Sequence, residues 1–276
     1  MARARLAGRF ALIVGMAILF TAGCAAPARK PTPEHNAALQ VERTDREFDL
    51  GKDIQRVSIV NSYGTITVKG QDENAVGIHA VIQRLAPTFA PLRLHVRREG
   101  GTLHIEVGYA KGVDPATRGR LDMAVFVPGA EALALTTGAD RIKVGRRNGS
   151  IQATTTSGEI VASSRGRLEL QSDSGQIRAV ALGRRWSGIS RIRTASGRII
   201  MGVPTFAGIT LDASSGGKLS TNFGLTVHKR PGGRGSAHAR YGDGHSRLVV
   251  TSASGEVVLE QVVLLGEDDK LPEDDD

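Results

Sequence analysis

The phrase TTTSGEIVA around Gly158 returns in variant form as LQSDSGQIRAV at Gly175, IRTASGRIIMG at Gly197, LDASSGGKLS at Gly216 and VTSASGEVVLE at Gly255. VSIVNSYGTITV, around Gly64, has the same flanks. A chain that repeats one short phrase this often is restricted to folds that reuse one small supersecondary unit, because no single copy can bury its own apolar face.

The flanks define that unit. Counting from each glycine, the residues seven and five before it and two and four after it include Val57, Ile59, Ile66 and Val68 in the first copy, and Leu168, Leu170, Ile177 and Ala179 in the copy at Gly175. Over the six copies 21 of these 24 positions are apolar, the exceptions being Ser190, Lys218 and Ser220, against six of 24 at the interleaved positions. Such alternation marks two strands per copy, each with one buried face. The phase switches from odd offsets before the glycine to even offsets after it, so the Ser-Gly pair is a corner that re-aims the chain while keeping the same face inward. On this reading the glycine supplies positive φ and the serine hydroxyl ties the turning backbone, so the serines are bends and not nucleophiles.

Successive glycines lie 17, 22 and 19 residues apart from Gly158 to Gly216, and a further 39 to Gly255, about two copies. Strand, corner, strand and return turn in about 20 residues suit one coil of an all-β, single-domain β-solenoid, a parallel β-helix in which equivalent residues stack. An antiparallel β-sandwich is the alternative, since hairpins also give alternation and turns. Aromatic residues are only 4% of the chain while glycines number 34, which suits a thin, turn-rich architecture.

The N-terminus is a different object. Arg3, Arg5 and Arg9 precede the apolar run FALIVGMAILF, and TAGC follows it, the order of a secretory signal. The only cysteine, Cys24, stands where that signal ends. This resembles the lipobox of bacterial lipoproteins, in which the cysteine after the cut is acylated; Thr21 departs from the usual Leu three residues before the cut. The resemblance implies a signal peptide over 1–23, a lipid on Cys24 and membrane attachment through it, with Ala25 in place of Asp pointing to the outer membrane. Residues 24–45 then read as a Pro- and charge-rich tether, 46–265 as the folded domain, and 266–276 as an acidic disordered tail. A helical or irregular segment is expected around Leu85 to Pro91. A lone cysteine leaves no intramolecular disulfide for an exported fold to lean on.

The run from VFVPGAEALALTTGADRIKVG through the Ser-Gly phrases to YGDGHSRLVVTSASGEVVLE resembles the putative-adhesin domain family of bacterial envelope proteins, a family of unknown function. The resemblance covers roughly residues 46 to 265 and implies no catalytic residues. The chain departs from the family pattern in a long basic insertion before the last copy, and in Gln or Arg after some Ser-Gly pairs.

Net charge is +8 although the last ten residues hold seven acids. Between Arg141 and Arg198 stand twelve Lys or Arg against Glu159, Glu169 and Asp173. Arg178, Arg191, Arg193 and Arg198 fall on outward positions, and stacked coils would align them as candidates for an anionic envelope polymer. The bland alternative is the solvated surface of a basic protein. Trp186 has no aromatic neighbour with which to stack bases, which argues against nucleic acid. His228, His238, His245 and Asp243 are close in sequence but match no zinc spacing, and no nucleotide-binding glycine loop or calcium nonapeptide is present. The reading is a non-catalytic lipoprotein of the cell envelope, needing no cofactor or metal, that binds an anionic polymer or another envelope protein. A polysaccharide-acting β-helix enzyme is the competing class, and it would need clustered carboxylates in a groove.

Overall fold

The computed structural model describes residues 39–84, 90–111, 119–204 and 208–262. The signal segment, Cys24, most of the tether, the residues around Leu85 to Pro91 and the acidic tail lie outside them, apart from Ala90 and Pro91. Part of the segment read as a tether is strand, because β1 (Gln40–Asp49) pairs antiparallel with β4 (Ala75–Arg84) from Gln40 onward.

Each Ser-Gly phrase makes two strands, as its alternation requires. They are β10 (Ile151–Thr155) and β11 (Ile160–Ser164), β12 (Leu168–Ser172) and β13 (Ile177–Ala181), β14 (Ile189–Thr194) and β15 (Ile199–Val203), β16 (Ile209–Ser215) and β17 (Leu219–Thr221), and β20 (Ser246–Ser252) and β21 (Val257–Gln261). The copy at Gly64 makes β2 (Arg56–Asn61) and β3 (Ile66–Gln71). Two units without the phrase complete the set: β6 (Thr102–Gly108) with β7 (Gly119–Pro128), and β8 (Ala132–Thr137) with β9 (Ile142–Arg147).

At every corner the chain crosses from one sheet to the other, giving an all-β structure of two mixed sheets, both open at their edges. One runs β5 (Arg93–Glu99), β6, β2, β8, β10, β12, β14, β20, β16, β19 (Gly235–Tyr241), β18 (Val227–Lys229); the other runs β1, β4, β7, β3, β9, β11, β13, β15, β21, β17. The ladders between units are parallel. Antiparallel pairs are confined to the ends of the sheets. Registers place equivalents over equivalents, so one inner column reads Met123, Ile66, Ile142, Ile160, Ile177, Ile199, Val257, Leu219. All are buried. Branched aliphatic residues fill these columns, so the core needs few rings.

The units do not stack in chain order. The last unit, β20–β21, lies between β14–β15 and β16–β17. The first, β2–β3, likewise lies between β6–β7 and β8–β9.

Three details of the corners differ from the sequence reading. The glycines of positive φ are Gly51, Gly100, Gly101, Gly188, Gly232, Gly242 and Gly244, none of them in a Ser-Gly phrase. The repeat glycines are required by close approach instead. A Cβ on Gly175 would lie 1.9 Å from the Gly158 carbonyl oxygen, one on Gly197 2.0 Å from that of Gly175, and one on Gly255 2.0 Å from that of Gly197. The tying hydroxyl, secondly, stands three residues before the glycine and not beside it. Gly158, Gly175, Gly197 and Gly255 donate their N–H to the buried Thr155, Ser172, Thr194 and Ser252 at 3.0, 2.8, 2.9 and 2.9 Å. The serines beside these four glycines, Ser157, Ser174, Ser196 and Ser254, are exposed, whereas Ser215 beside Gly216 is buried and accepts the Gly217 N–H at 3.1 Å.

Thirdly, the outward Lys218 and Ser220 are not in the core. Ser215 is in register with Ser252 and Leu219 with Val257, so this corner is one residue shorter than the rest and puts Leu219 inward. Ser190 does face inward, where it accepts the Leu168 N–H at 3.0 Å.

Candidate binding surfaces

The residue just before the second strand of a unit points out along one edge of the stack, and at Arg141, Glu159, Gln176, Arg198, Glu256 and Lys218 these residues form a ladder of alternating charge. Arg141 pairs with Glu159 at 2.7 Å, Gln176 donates to Glu159 at 3.5 Å, Arg198 pairs with Glu256 at 3.1 Å, and Lys218 reaches Glu256 at 4.0 Å. Arg120 extends it, held by Asp122 and Asp140 at 2.7 Å each. The Gln and Arg that depart from the family pattern thus sit next to partners that suit them. Burial pushes the Asp122 carboxyl up, but hydrogen bonds from Arg120 and from the Thr65 N–H and hydroxyl outweigh it, and the net direction is down.

The four arginines expected to form one basic stripe are all exposed but are not brought together. Arg178 is on β13, on the outer face of one sheet, with Val161 and Ile200 as lateral neighbours. Arg191 and Arg193 are on β14, on the outer face of the other, where Arg193 donates to Gln171 Oε1 at 3.0 Å. Arg198 belongs to the corner ladder. The arginines that do gather are on the return turns between units: Arg165, Arg167, Arg184 and Arg185, all exposed. Their signal, RGR and GRR flanking the strand ends, lies in the turns and outside the strand phase.

Of the three histidines, His228 and His238 share a depression of about 250 Å³ on the outer face of β16, β18 and β19, and His245 lies apart in the turn before β20. Asp212 accepts from His238 Nδ1 at 2.8 Å and from Arg247 at 3.0 Å. The hydrogen bond from His238, against a smaller effect of burial and with Arg247 assisting, holds the Asp212 carboxyl below its usual range. Asp243 accepts the His245 N–H at 3.1 Å and pairs with Arg185 at 2.6 Å. A cleft of about 430 Å³ between β1 and β5 places Glu42, Arg46 and His95 over Ile82 and Leu94. Each depression is lined by a single carboxylate, and no group of three or more His, Cys, Asp or Glu is placed to hold a metal among the described residues.

No family model matches the chain, and no curated protein matches it. Among solved structures it is similar to a putative cell adhesion protein from Clostridium sporogenes, with 12% identity and a TM-score of 0.51 over 81% of this chain and 100% of that one. A putative lipid binding protein from Parabacteroides distasonis aligns at 12% identity and TM-score 0.38, covering 81% and 97%. A putative adhesin from Bacteroides fragilis aligns at 9% and 0.31, covering 80% and 97%. At these identities the likeness to the clostridial protein is one of fold: an all-β chain of two mixed sheets.

Proposed function

We propose that this chain is a non-catalytic binding module of the bacterial cell envelope, built as a β-solenoid and held to a membrane, the outer one in a two-membrane cell, by a lipid on Cys24. The observation that carries the reading is how its carboxylates are used. Asp140, Glu159, Asp212, Asp243 and Glu256 each face an arginine of another unit, and Asp122 faces Arg120 of its own strand while accepting from Thr65 of the adjoining unit, so these carboxylates serve to join units. Polysaccharide-cleaving chemistry needs two carboxylates facing one groove, one of them free to give up or take a proton. The solenoid reading is supported by the parallel, in-register ladders, in which each unit buries its inner columns against the next. The clostridial protein of similar fold, named for cell adhesion, supports the same class.

Replacing Cys24 by Ser tests the anchor, because acylation requires a thiol. The protein should move from the membrane fraction to the soluble periplasmic fraction, or stall uncleaved. A processed Cys24→Ser chain that stays with the membrane overturns the reading.

A further inference from the structure

The return turns 148–150, 165–167 and 182–188 lie directly over one another. Arg165 donates its N–H to Arg147 O at 2.8 Å and Leu182 to Ser164 O at 2.7 Å. A Cβ on Gly166 would lie 2.7 Å from Gly149 O and one on Gly183 2.1 Å from Arg165 O, so adjacent turns touch through backbone. The three turns read NGS, RGR and LGRRWSG and contain four arginines and no acid. Arg185 is engaged by Asp243. Arg165, Arg167 and Arg184 pair with no carboxylate among the described residues. Arg167 lies against the next turn, its guanidinium 3.6 Å from where a Cβ on Gly188 would be.

We propose that this ridge binds a carboxylate-bearing polysaccharide laid along the stacking direction, an inference that rests on the envelope-module reading and names its ligand class. Units in a parallel ladder are spaced by about 4.8 Å, so the two arginine-bearing turns, 165–167 and 182–188, offer cations one such step apart, enough to meet successive charges of a linear polymer. A guanidinium takes a carboxylate through two parallel N–H donors, which gives geometry as well as charge. A lipid surface fits this ridge less well, since its apolar side chains, Leu182 and Trp186, are buried and have nothing to insert. Nucleic acid would lack a stacking ring there for the same reason.

The test uses the full chain with polygalacturonate as probe, and polyphosphate and neutral dextran as comparators. The triple variant Arg165→Gln, Arg167→Gln, Arg184→Gln should bind polygalacturonate about tenfold or more weakly than wild type at an unchanged Tm. The quadruple variant Arg178→Gln, Arg191→Gln, Arg193→Gln, Arg198→Gln should bind within about twofold of wild type, since its arginines are dispersed. Wild-type binding should fall as salt rises from about 50 to 200 mM. The proposal is overturned if wild type does not bind, if the triple variant binds as wild type does, if the quadruple variant loses as much, or if polyphosphate is bound and polygalacturonate is not. Fractionation of Cys24→Ser is read independently, so a failed ridge with an intact lipid anchor overturns the ridge alone.

Discussion

An added methyl at Gly175 would lie 1.9 Å from one carbonyl oxygen of the neighbouring corner and 2.7 Å from a second, both of them backbone atoms that cannot swing away. Gly175→Ala should therefore cost about 1–3 kcal/mol or more, read as a fall in Tm, by forcing the stacked corners apart. Gly108→Ala is the control, because its Cβ would meet nothing within 4 Å and should leave Tm nearly unchanged. Asp122 provides a pH-dependent counterpart. Its folded-state pKa is lowered, so its contribution to stability is fully present above the ordinary aspartate value of about 3.9 and is lost as pH falls through the depressed folded value. Asp122→Asn should lower Tm at neutral pH, and the gap from wild type should close in strong acid; a gap independent of pH would mean the carboxylate charge is not what matters. Arg147 belongs to a third kind of residue, buried yet charged. Its guanidinium donates to Val127 O at 2.8 Å, to Pro128 O and to Glu131 O at 3.2 Å, fixing the turn before β8. Burial lowers its pKa.

At the scale of strands, the inward and outward assignment can be tested at two adjacent residues. Ile177 stacks between Ile160 and Ile199 and is 0% exposed, while Arg178 is exposed. Ile177→Asp should unfold the stack, since an unpaired buried carboxylate costs several kcal/mol, comparable with the stability of a domain, whereas Arg178→Asp should be tolerated. Equal Tm losses would mean the phase is wrong. That phase was legible in the sequence because period-two alternation is imposed by the pleat and survives any change of neighbour. It failed where a corner changes length. The shorter corner after Ser215 makes Leu219 inward, and an alignment on Gly216 puts Lys218 there instead. A bulge at Gly145, between Val144 and Arg146 in the ladder with β11, shifts the phase in β9 so that Arg147 turns inward, which no count from Ile142 would reveal. The candidate site was legible as composition and not as place. The basic stretch 141–198 is plain, but which arginines meet depends on the two sheets parting Arg178 from Arg191 and on turns that alternation does not describe.

Chain order was the least legible feature of the whole described domain, because ladder partners are set by complementary inner columns and not by distance along the sequence. β16 pairs only with β20 and β19, and β17 only with β21, so the unit at 209–221 reaches the rest of the stack through the last unit alone. A chain ending after Tyr241 keeps that unit and its hairpin β18–β19 but lacks the element that joins them to β14 and β15. Ile209, Leu211 and Leu219 would then have no neighbouring unit to pack on, whereas a chain ending after Pro204 has no such orphan. The longer truncation should thus aggregate more and be cut faster by protease within 205–241 than the shorter one, despite holding more of the sequence. A synthetic peptide spanning residues 242–262 should insert between β14–β15 and β16–β17 of the 241-residue chain, raise its Tm and protect 205–241 from cleavage. The slot is filled in register on both sides by Leu248, Val250, Val257 and Leu259, all fully buried. If the 241-residue chain melts as cooperatively as the full one, or if the peptide leaves its Tm and cleavage unchanged, the last unit is not the wedge that holds this end of the stack together.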